Sequence, residues 1–308
     1  MDFTLDHDQQ AVLDAVDTIL ERHAGPARMR ELGGDEPAYD ADLHARLADA
    51  GYLHVSVGSS SRLDAALVVE AIARRLGVVA AGHAALLAPS LGVNVEGPLT
   101  AVNAGATGAA RFAADAAAVV VLDDDEVRLV RDVSGVPRVG SRMGWPVGSA
   151  APWLAAGRQS ETLAVDPAEV RTWWRVAIAC ELVGSMRAAL QLAVDHVTDR
   201  EQFGRPIGSF QAVQHGLARC AVAVEGARWL AYEAAWSGDP VGAATAVAAA
   251  MQAAEHVRRD THQYTGALGF TTEYDLHLST MRLPALAIEA GLAGSPRVAA
   301  AVGRWSTS

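Results

Sequence analysis

Apolar positions recur at helical spacing through most of the chain and at strand spacing only in its middle. Asp6 to Gln9 reads as a capping box, after which Val12, Leu13, Val16, Ile19 and Leu20 fall on one helical face, with Gly25-Pro26 ending the helix. Further helices are expected over Tyr39–Ala50 and Arg62–Leu76, and the Ala-rich stretch Val78–Leu91 continues the helical pattern. From Gly97 to Gly108, clustered Gly, Pro, Asn and Thr read as connecting loop. Ala116–Leu122 and Glu126–Val130 then predict two strands around the turn Asp123-Asp124-Asp125, with one or two more between Val136 and Leu163. From Asp166 the pattern returns to helix: Asp166-Pro167 opens one reaching about Thr198, Ser209 one to Trp236, and Asp239-Pro240 one to Tyr264. A fourth covers Tyr274–Ala290 with a kink at Pro284, and Ser295-Pro296 starts a short last one. Long helices joined by short loops argue for an antiparallel bundle. The expected layout is an N-terminal helical domain over 1–110, a reduced β-domain over 111–165 and a C-terminal helical bundle over 166–308.

Composition narrows the chemistry. The 308 residues are 51% hydrophobic and carry a formal net charge of −11, which argues against a nucleic-acid surface. No secretory or organelle-targeting pattern opens the chain, and the apolar stretches before residue 92 are broken by Glu70, Arg74, Arg75 and His83, so a cytoplasmic location is expected. Cys180 and Cys220 both fall in helical patterns and lack zinc or disulfide spacing, leaving buried packing as their reading. All 25 basic residues are arginine, so no lysine is available for a Schiff base or a P-loop.

Two loops of the bundle carry more than connector chemistry. Arg200-Glu201-Gln202-Phe203-Gly204-Arg205-Pro206-Ile207-Gly208-Ser209-Phe210-Gln211 combines arginines that suit a pyrophosphate, glutamines that can read a ring edge or hydroxyl, and phenylalanines that can cover an aromatic face. Composition alone would equally allow a capped turn with packed aromatics. Gln263-Tyr264-Thr265-Gly266-Ala267-Leu268-Gly269-Phe270-Thr271-Thr272-Glu273 carries two glycines that let backbone approach a phosphate or another chain, though a glycine after a helix is more often a C-cap.

In this order and separation, Arg-x-x-Phe-Gly-x-Pro-Ile-x-x-Phe-Gln-x-x-x-His followed by Gln-x-x-Gly-x-x-Gly-Phe-Thr-x-Glu resembles the C-terminal half of the acyl-CoA dehydrogenases. The resemblance extends to Glu181-Leu182-Val183-Gly184 and to the opening Met1-Asp2-Phe3-Thr4-Leu5 with Gln9, and is poor in the middle of the chain. It implies a mainly α fold: an N-terminal helical domain, a central β-domain and a C-terminal four-helix bundle. It also implies an FAD-dependent oxidoreductase that removes a proton from Cα and a hydride from Cβ of an acyl-CoA, with the FAD site lying between subunits and an electron-transfer flavoprotein or similar protein as acceptor. Carried over residue by residue, Arg200, Gln202, Phe203 and Gln211 would contact FAD, and Gln263, Gly266 and Gly269 would hold its adenine-diphosphate end. Ala267 departs from the paired glycines usual there. Arg175 matches an arginine near the active site, and a surface or partner salt bridge is an equal reading for it.

Three family features are missing. The β region lacks the Thr-Glu-Pro-like and Trp-x-x-Thr-like stretches of the flavin bed, and Ser141–Val147 reads as loop and core. The usual base position falls near Gly291, with Glu289 two residues away; the alternative base position holds Trp174, flanked by Glu169 and Glu181. The Thr-x-Gln that follows the base is replaced by Leu292-Ala293-Gly294-Ser295-Pro296. The retained residues are those a subunit lends to its neighbour. The resemblance therefore points to the shortened subunit of an actinobacterial α2β2 steroid-catabolic acyl-CoA dehydrogenase, completing the FAD site of a full-length catalytic partner. The alternatives are a self-sufficient homo-oligomer using Glu289 or Glu181 as base, and a flavin-free structural subunit.

Overall fold

Capping side chains decide where the helices begin. In the computed structural model, which describes residues 4–55, 61–105, 108–150 and 158–305, Asp6 accepts from Gln9 N and Gln9 returns the bond to Asp6 N, closing the expected box on α1 (His7–His23). The opening residues Met1, Asp2 and Phe3 lie outside the described residues. Pro26 begins α2 (Pro26–Glu31), Asp40 caps α3 (Ala41–Asp49), and Ser61 with Asp64 closes a second box on α4 (Arg62–Arg74). The Ala-rich stretch beyond is helical but irregular, a π turn at His83–Leu87 running into a 3-10 turn at Ala88–Leu91.

The middle region holds more strand than the residue pattern suggests. β1 (Leu99–Asn103) pairs in parallel with β3 (Ala118–Leu122), which pairs antiparallel with β4 (Val127–Val130), and that in turn with β7 (Glu161–Leu163). A second sheet orders β2 (Ala109–Arg111), β6 (Val147–Ser149) and β5 (Arg138–Val139). β1 lies inside the stretch read as loop because the turn residues at Gly97, Pro98 and Gly105 crowd a five-residue strand from both sides. Among the described residues three strands rather than one or two lie between Val136 and Leu163, each too short to show an alternating pattern.

Six further α-helices follow among the described residues. α5 (Pro167–Asp199) starts on an Asp166 side chain that accepts from Ala168 N, with Pro167 at its first position. A two-residue hairpin, β8 (Glu201–Gln202) with β9 (Arg205–Pro206), leads to α6 (Gln211–Ser237). α7 (Pro240–Thr265) follows, then α8 (Leu276–Thr280), α9 (Arg282–Leu292) and α10 (Pro296–Trp305). α8 and α9 replace the single kinked helix expected over Tyr274–Ala290. Pro284 cannot donate to the carbonyl of Thr280, four residues earlier, and its ring crowds that carbonyl, so the helix breaks there.

α5 is the axis of the bundle and packs on α4, α6 and α7. It is long and apolar enough to cross a membrane, but 72% of its most apolar window is buried in protein, which makes it a core helix. Its closest crossing is at Gly184, where a Cβ would stand 2.3 Å from the carbonyl oxygen of Glu70 on α4. At the same junction the buried Glu70 carboxylate accepts from Arg187 on α5 and from Tyr232 on α6, with Arg228 of α6 3.4 Å away. Both cysteines are buried and unpaired, as packing residues should be.

Candidate functional site

The two loops singled out in the sequence meet at one end of the bundle. α6 begins where the first loop ends and α7 ends where the second begins, and these antiparallel helices touch there through Tyr264, whose hydroxyl donates to Ala212 O at 3.5 Å. Gly216 makes the contact possible, because a Cβ at that position would sit 1.7 Å from the Tyr264 hydroxyl. A small apolar cluster of Ala193, Val197 and Leu217, with Ile207, Val213 and Tyr264 packed on it, anchors both loops to the same base.

The first loop turns at Phe203 and Gly204, with φ of +56° and +76°, the geometry of a two-residue I′ hairpin. Glycine adopts it freely, but phenylalanine does so at a cost of roughly 1–2 kcal/mol. The residue is 92% exposed, and among the described residues its ring contact is Phe210, edge-on at 6.1 Å. Arg205 lies over the Phe210 ring at 4.1 Å, whereas Arg200 is exposed and makes no ion pair among the described residues. Gln202, Gln211 and Gln263 are exposed as well. Gly266, at φ +61° and ψ −144°, occupies backbone space that only glycine enters readily, and nothing would meet a Cβ there. Gly269 differs: it is buried, and a Cβ would stand 2.2 Å from the Thr265 hydroxyl, so packing inside the chain accounts for it.

A cleft of about 450 Å³ between the strands and α9 holds Trp174 and Glu289 of the second group of predicted residues. Ala101, Val102, Met143 and Ile288 give it apolar walls; Arg111, Ser141, Trp174 and Glu289 are its polar side chains. Trp174, at the alternative base position, and Glu289, two residues from the usual one, are neighbours here, since Trp174 Nε1 donates to Glu289 Oε1 at 2.9 Å. Along α9 it is Glu289, and not Gly291, that lines the cleft.

Neither candidate carboxylate is free. Arg111 Nη2 donates to Glu181 Oε2 at 2.8 Å and to Glu289 Oε1 at 3.0 Å, while its Nε donates to Glu289 Oε2. His83 Nε2 stands 3.3 Å from Glu289 Oε1. Burial alone would raise the Glu289 carboxyl, but the charge and hydrogen bonds of Arg111, together with His83, outweigh it and hold the group well below the ordinary carboxylate range. Burial likewise opposes the charge on Arg111, and its two carboxylates overcome that and keep it protonated. An effective general base titrates near the working pH. A carboxylate fixed in a buried ion pair is the opposite arrangement.

Arg175 lies one residue along α5 from this cleft but is turned away. It is buried, and its Nη2 donates to the carbonyls of Ala293 and Gly294 at 3.3 Å each, capping the C-terminal end of α9. Burial, helped by the neighbouring Arg171, lowers it to about 10. The Ser141–Val147 stretch is loop and core: Trp145 is buried, with Arg111 and Arg282 each 4.5 Å from its ring centroid.

Arg111 is the residue that reading the sequence missed. It stands on a three-residue strand in an Ala- and Gly-rich stretch, and nothing local marks it. Its neighbour Phe112 has φ +62° and is fully buried, with Tyr39 and His83 edge-on to its ring.

Comparison with known proteins bears on the family and the fold. The family model described as acyl-CoA dehydrogenase, C-terminal domain, matches residues 170–295. The chain is 30% identical to acyl-CoA dehydrogenase IpdE2 of Mycobacterium tuberculosis over 88% of its own length and 89% of that protein. It is 26% identical to IpdE2 of Mycolicibacterium smegmatis over 95% and 96% of the two chains. Among solved structures, a chain of the ChsE4–ChsE5 complex from Mycobacterium tuberculosis superposes with a TM-score of 0.80 over 100% of both chains, at 22% identity. A chain of the Tcur3481–Tcur3483 steroid ACAD does so with a TM-score of 0.75 over 99% and 100%, at 20% identity. At these identities the likeness to solved structures is one of fold.

Proposed function

Since the chain belongs to the acyl-CoA dehydrogenase family of FAD-dependent oxidoreductases, we propose that it is the subunit that completes the FAD site of a second, catalytic chain. The observation that carries this reading is Phe203. A strained, nearly fully exposed aromatic on a hairpin has, among the described residues, one edge-on ring contact, and a flavin held by a neighbouring subunit would give it the rest of its cover. Arg200, exposed and unpaired, would meet a pyrophosphate with its planar fork, and Gly266 leaves room for backbone to approach the dinucleotide. Gln202, Gln211 and Gln263 would add hydrogen bonds from the same end of the bundle.

FAD, when bound, supplies the acceptor for the hydride taken from an acyl-CoA. This chain's contribution is to grip and orient it. The buried pairing of Glu289 and Glu181 with Arg111 argues against a self-sufficient enzyme, because neither carboxylate is free to take a proton from Cα. A flavin-free scaffold would have no use for the strained exposed Phe203. The partner is a full-length acyl-CoA dehydrogenase-like chain in an α2β2 assembly. Fold neighbours solved as two-protein complexes support that arrangement. The substrate class is a bulky, steroid-derived acyl-CoA, consistent with the steroid ACAD among the fold neighbours.

The test is co-purification with a full-length homologue followed by flavin quantification. Phe203→Ala and Arg200→Ala should each leave the two chains associated and lower bound FAD, each by on the order of tenfold in affinity. Unchanged FAD content in both variants would reject the reading.

A further inference from the structure

Two cavities flank α1 where it lies against the bundle, and the same pair of arginines lines both. The larger, of about 460 Å³, lies among the end of α1, the end of α4, α5 and α8. The smaller, of about 190 Å³, opens between α1, α4 and α6. Arg74, the last residue of α4, and Arg187 of α5 stand in the wall of each. No residue lining either cavity lines the cleft at Arg111. Arg187 also lies about 20 Å along α5 from Arg200, at ~1.5 Å of rise per residue, so the pair is separate from the hairpin proposed to grip FAD.

Charge and donors are left over here. Across the two walls stand four arginines, Arg74, Arg75, Arg187 and Arg228, against three carboxylates, Asp17, Glu21 and Glu70. In a chain of net charge −11 that is a local excess of one positive charge. Arg74 meets Asp17 through Nη2 alone, and Arg187 meets Glu70 through Nη1 alone. A guanidinium carries five N–H donors, so each keeps its Nε and one Nη without a hydrogen bond among the described residues. Ser279 of α8 adds a neutral donor. It lines the larger cavity, has no exposed surface, and its hydroxyl makes no hydrogen bond among the described residues. A helical Ser or Thr can return its hydroxyl to the carbonyl four residues back, as Thr280 beside it does to Leu276 O at 3.1 Å. A buried hydroxyl left unbonded has lost its water and gained nothing in exchange, and a ligand oxygen at this wall would satisfy it. Leu20, Pro26, Leu76 and Leu192 make the remaining wall largely apolar.

We infer that this groove binds an organic monocarboxylate with an apolar body. Its carboxylate accepts from Arg74, Arg187 and Ser279, and its hydrocarbon lies along Leu20, Leu76 and Leu192. One negative charge matches the excess on the walls. An inorganic phosphate would leave the apolar wall bare, and a neutral molecule would leave the guanidinium donors unmet. The Arg74, Arg75 and Arg187 side chains are 32%, 38% and 29% exposed, so the head of the ligand can enter without unfolding the wall. This inference does not rest on the proposed function, and it concerns a different part of the molecule.

The experiment is isothermal titration calorimetry of the full chain with octanoate. Octanol serves as the body without the charge, and inorganic phosphate as the charge without the body. Octanoate should bind at one site per chain, and each of the other two should bind about tenfold more weakly or worse. Arg74→Gln should weaken octanoate by about tenfold or more, through the lost charge-assisted bond, and Ser279→Ala by about fivefold. Both variants should melt as the wild type does. Asp17 keeps Arg75, 3.6 Å away, when Arg74 is replaced, and Ser279→Ala removes a group that bonds to nothing. Failure of octanoate to bind the wild type would overturn the inference. Octanoate binding unchanged in both variants would place the acid elsewhere, such as the cleft at Arg111, and overturn it equally. Phosphate as tight as octanoate would make this a plain anion pocket, and octanol as tight would make it a plain apolar one; either result rejects the monocarboxylate. FAD content of the two-chain complex, read separately, reports on the proposed function alone.

Discussion

Phe112 and Phe203 share a backbone conformation that phenylalanine rarely takes, yet one has no exposed surface and the other almost no cover. Phe112 is held in place by its surroundings. Tyr39 and His83 meet its ring edge-on, Arg111 lies 5.4 Å from it, and the cleft's ion-paired cluster closes around that arginine. Phe203 has one edge contact and solvent. Strain persists only where something over-determines it. At Phe112 that something is the chain's own interior, and at Phe203 it has to come from outside. The contrast separates a region that has become structural from one that is kept for a partner.

The comparison can be broken most sharply at Arg111. Arg111→Ala strands two buried carboxylates and should destabilise the chain by roughly 3–5 kcal/mol, measured by urea denaturation. A loss below about 1 kcal/mol would mean the cluster is solvated and the cleft open. Phe112→Ala should cost about 3 kcal/mol, since the cavity left behind outweighs the relief of backbone strain. Phe203→Ala should change the stability of the isolated chain by less than about 0.5 kcal/mol, the range of exposed positions, and Phe203→Gly should raise it slightly by relieving φ. Equal costs at the two phenylalanines would erase the distinction.

Acid sharpens the same contrast with a smaller effect. The folded-state Glu289 carboxyl lies below its ordinary value of 4.5, so its contribution is complete above that pH and is lost as pH falls from there toward the folded value. Wild type should therefore be more stable than Glu289→Gln at neutral pH, with the gap closing below about pH 4.5. A constant gap across that range would show that Glu289 is not the depressed group.

Much of the fold was legible because local chemistry sets helix ends. Asp6, Asp40, Ser61, Asp166 and Asp239 each cap the helix that follows. The strands were partly hidden, since β1 is flanked by turn residues and β5 and β6 are too short to carry a period. The exposed loop was legible because its residue types occur in one contiguous segment. The cleft was not, because Arg111, Glu181 and Glu289 are far apart in sequence and only the tertiary fold brings them together. Sequence marks Glu289 as a candidate base only by its place two residues from Gly291. Knowing that it is ion-paired required Arg111, which no motif marks.

The direct measurement is the flavin-to-protein ratio, from absorbance, of this chain alone and of its complex with the full-length partner. The account predicts no flavin on the isolated chain, and in the complex fewer flavins than chains, a complement that falls when Phe203 is replaced by alanine. A full complement of FAD on the isolated chain, with turnover of an acyl-CoA, would contradict it.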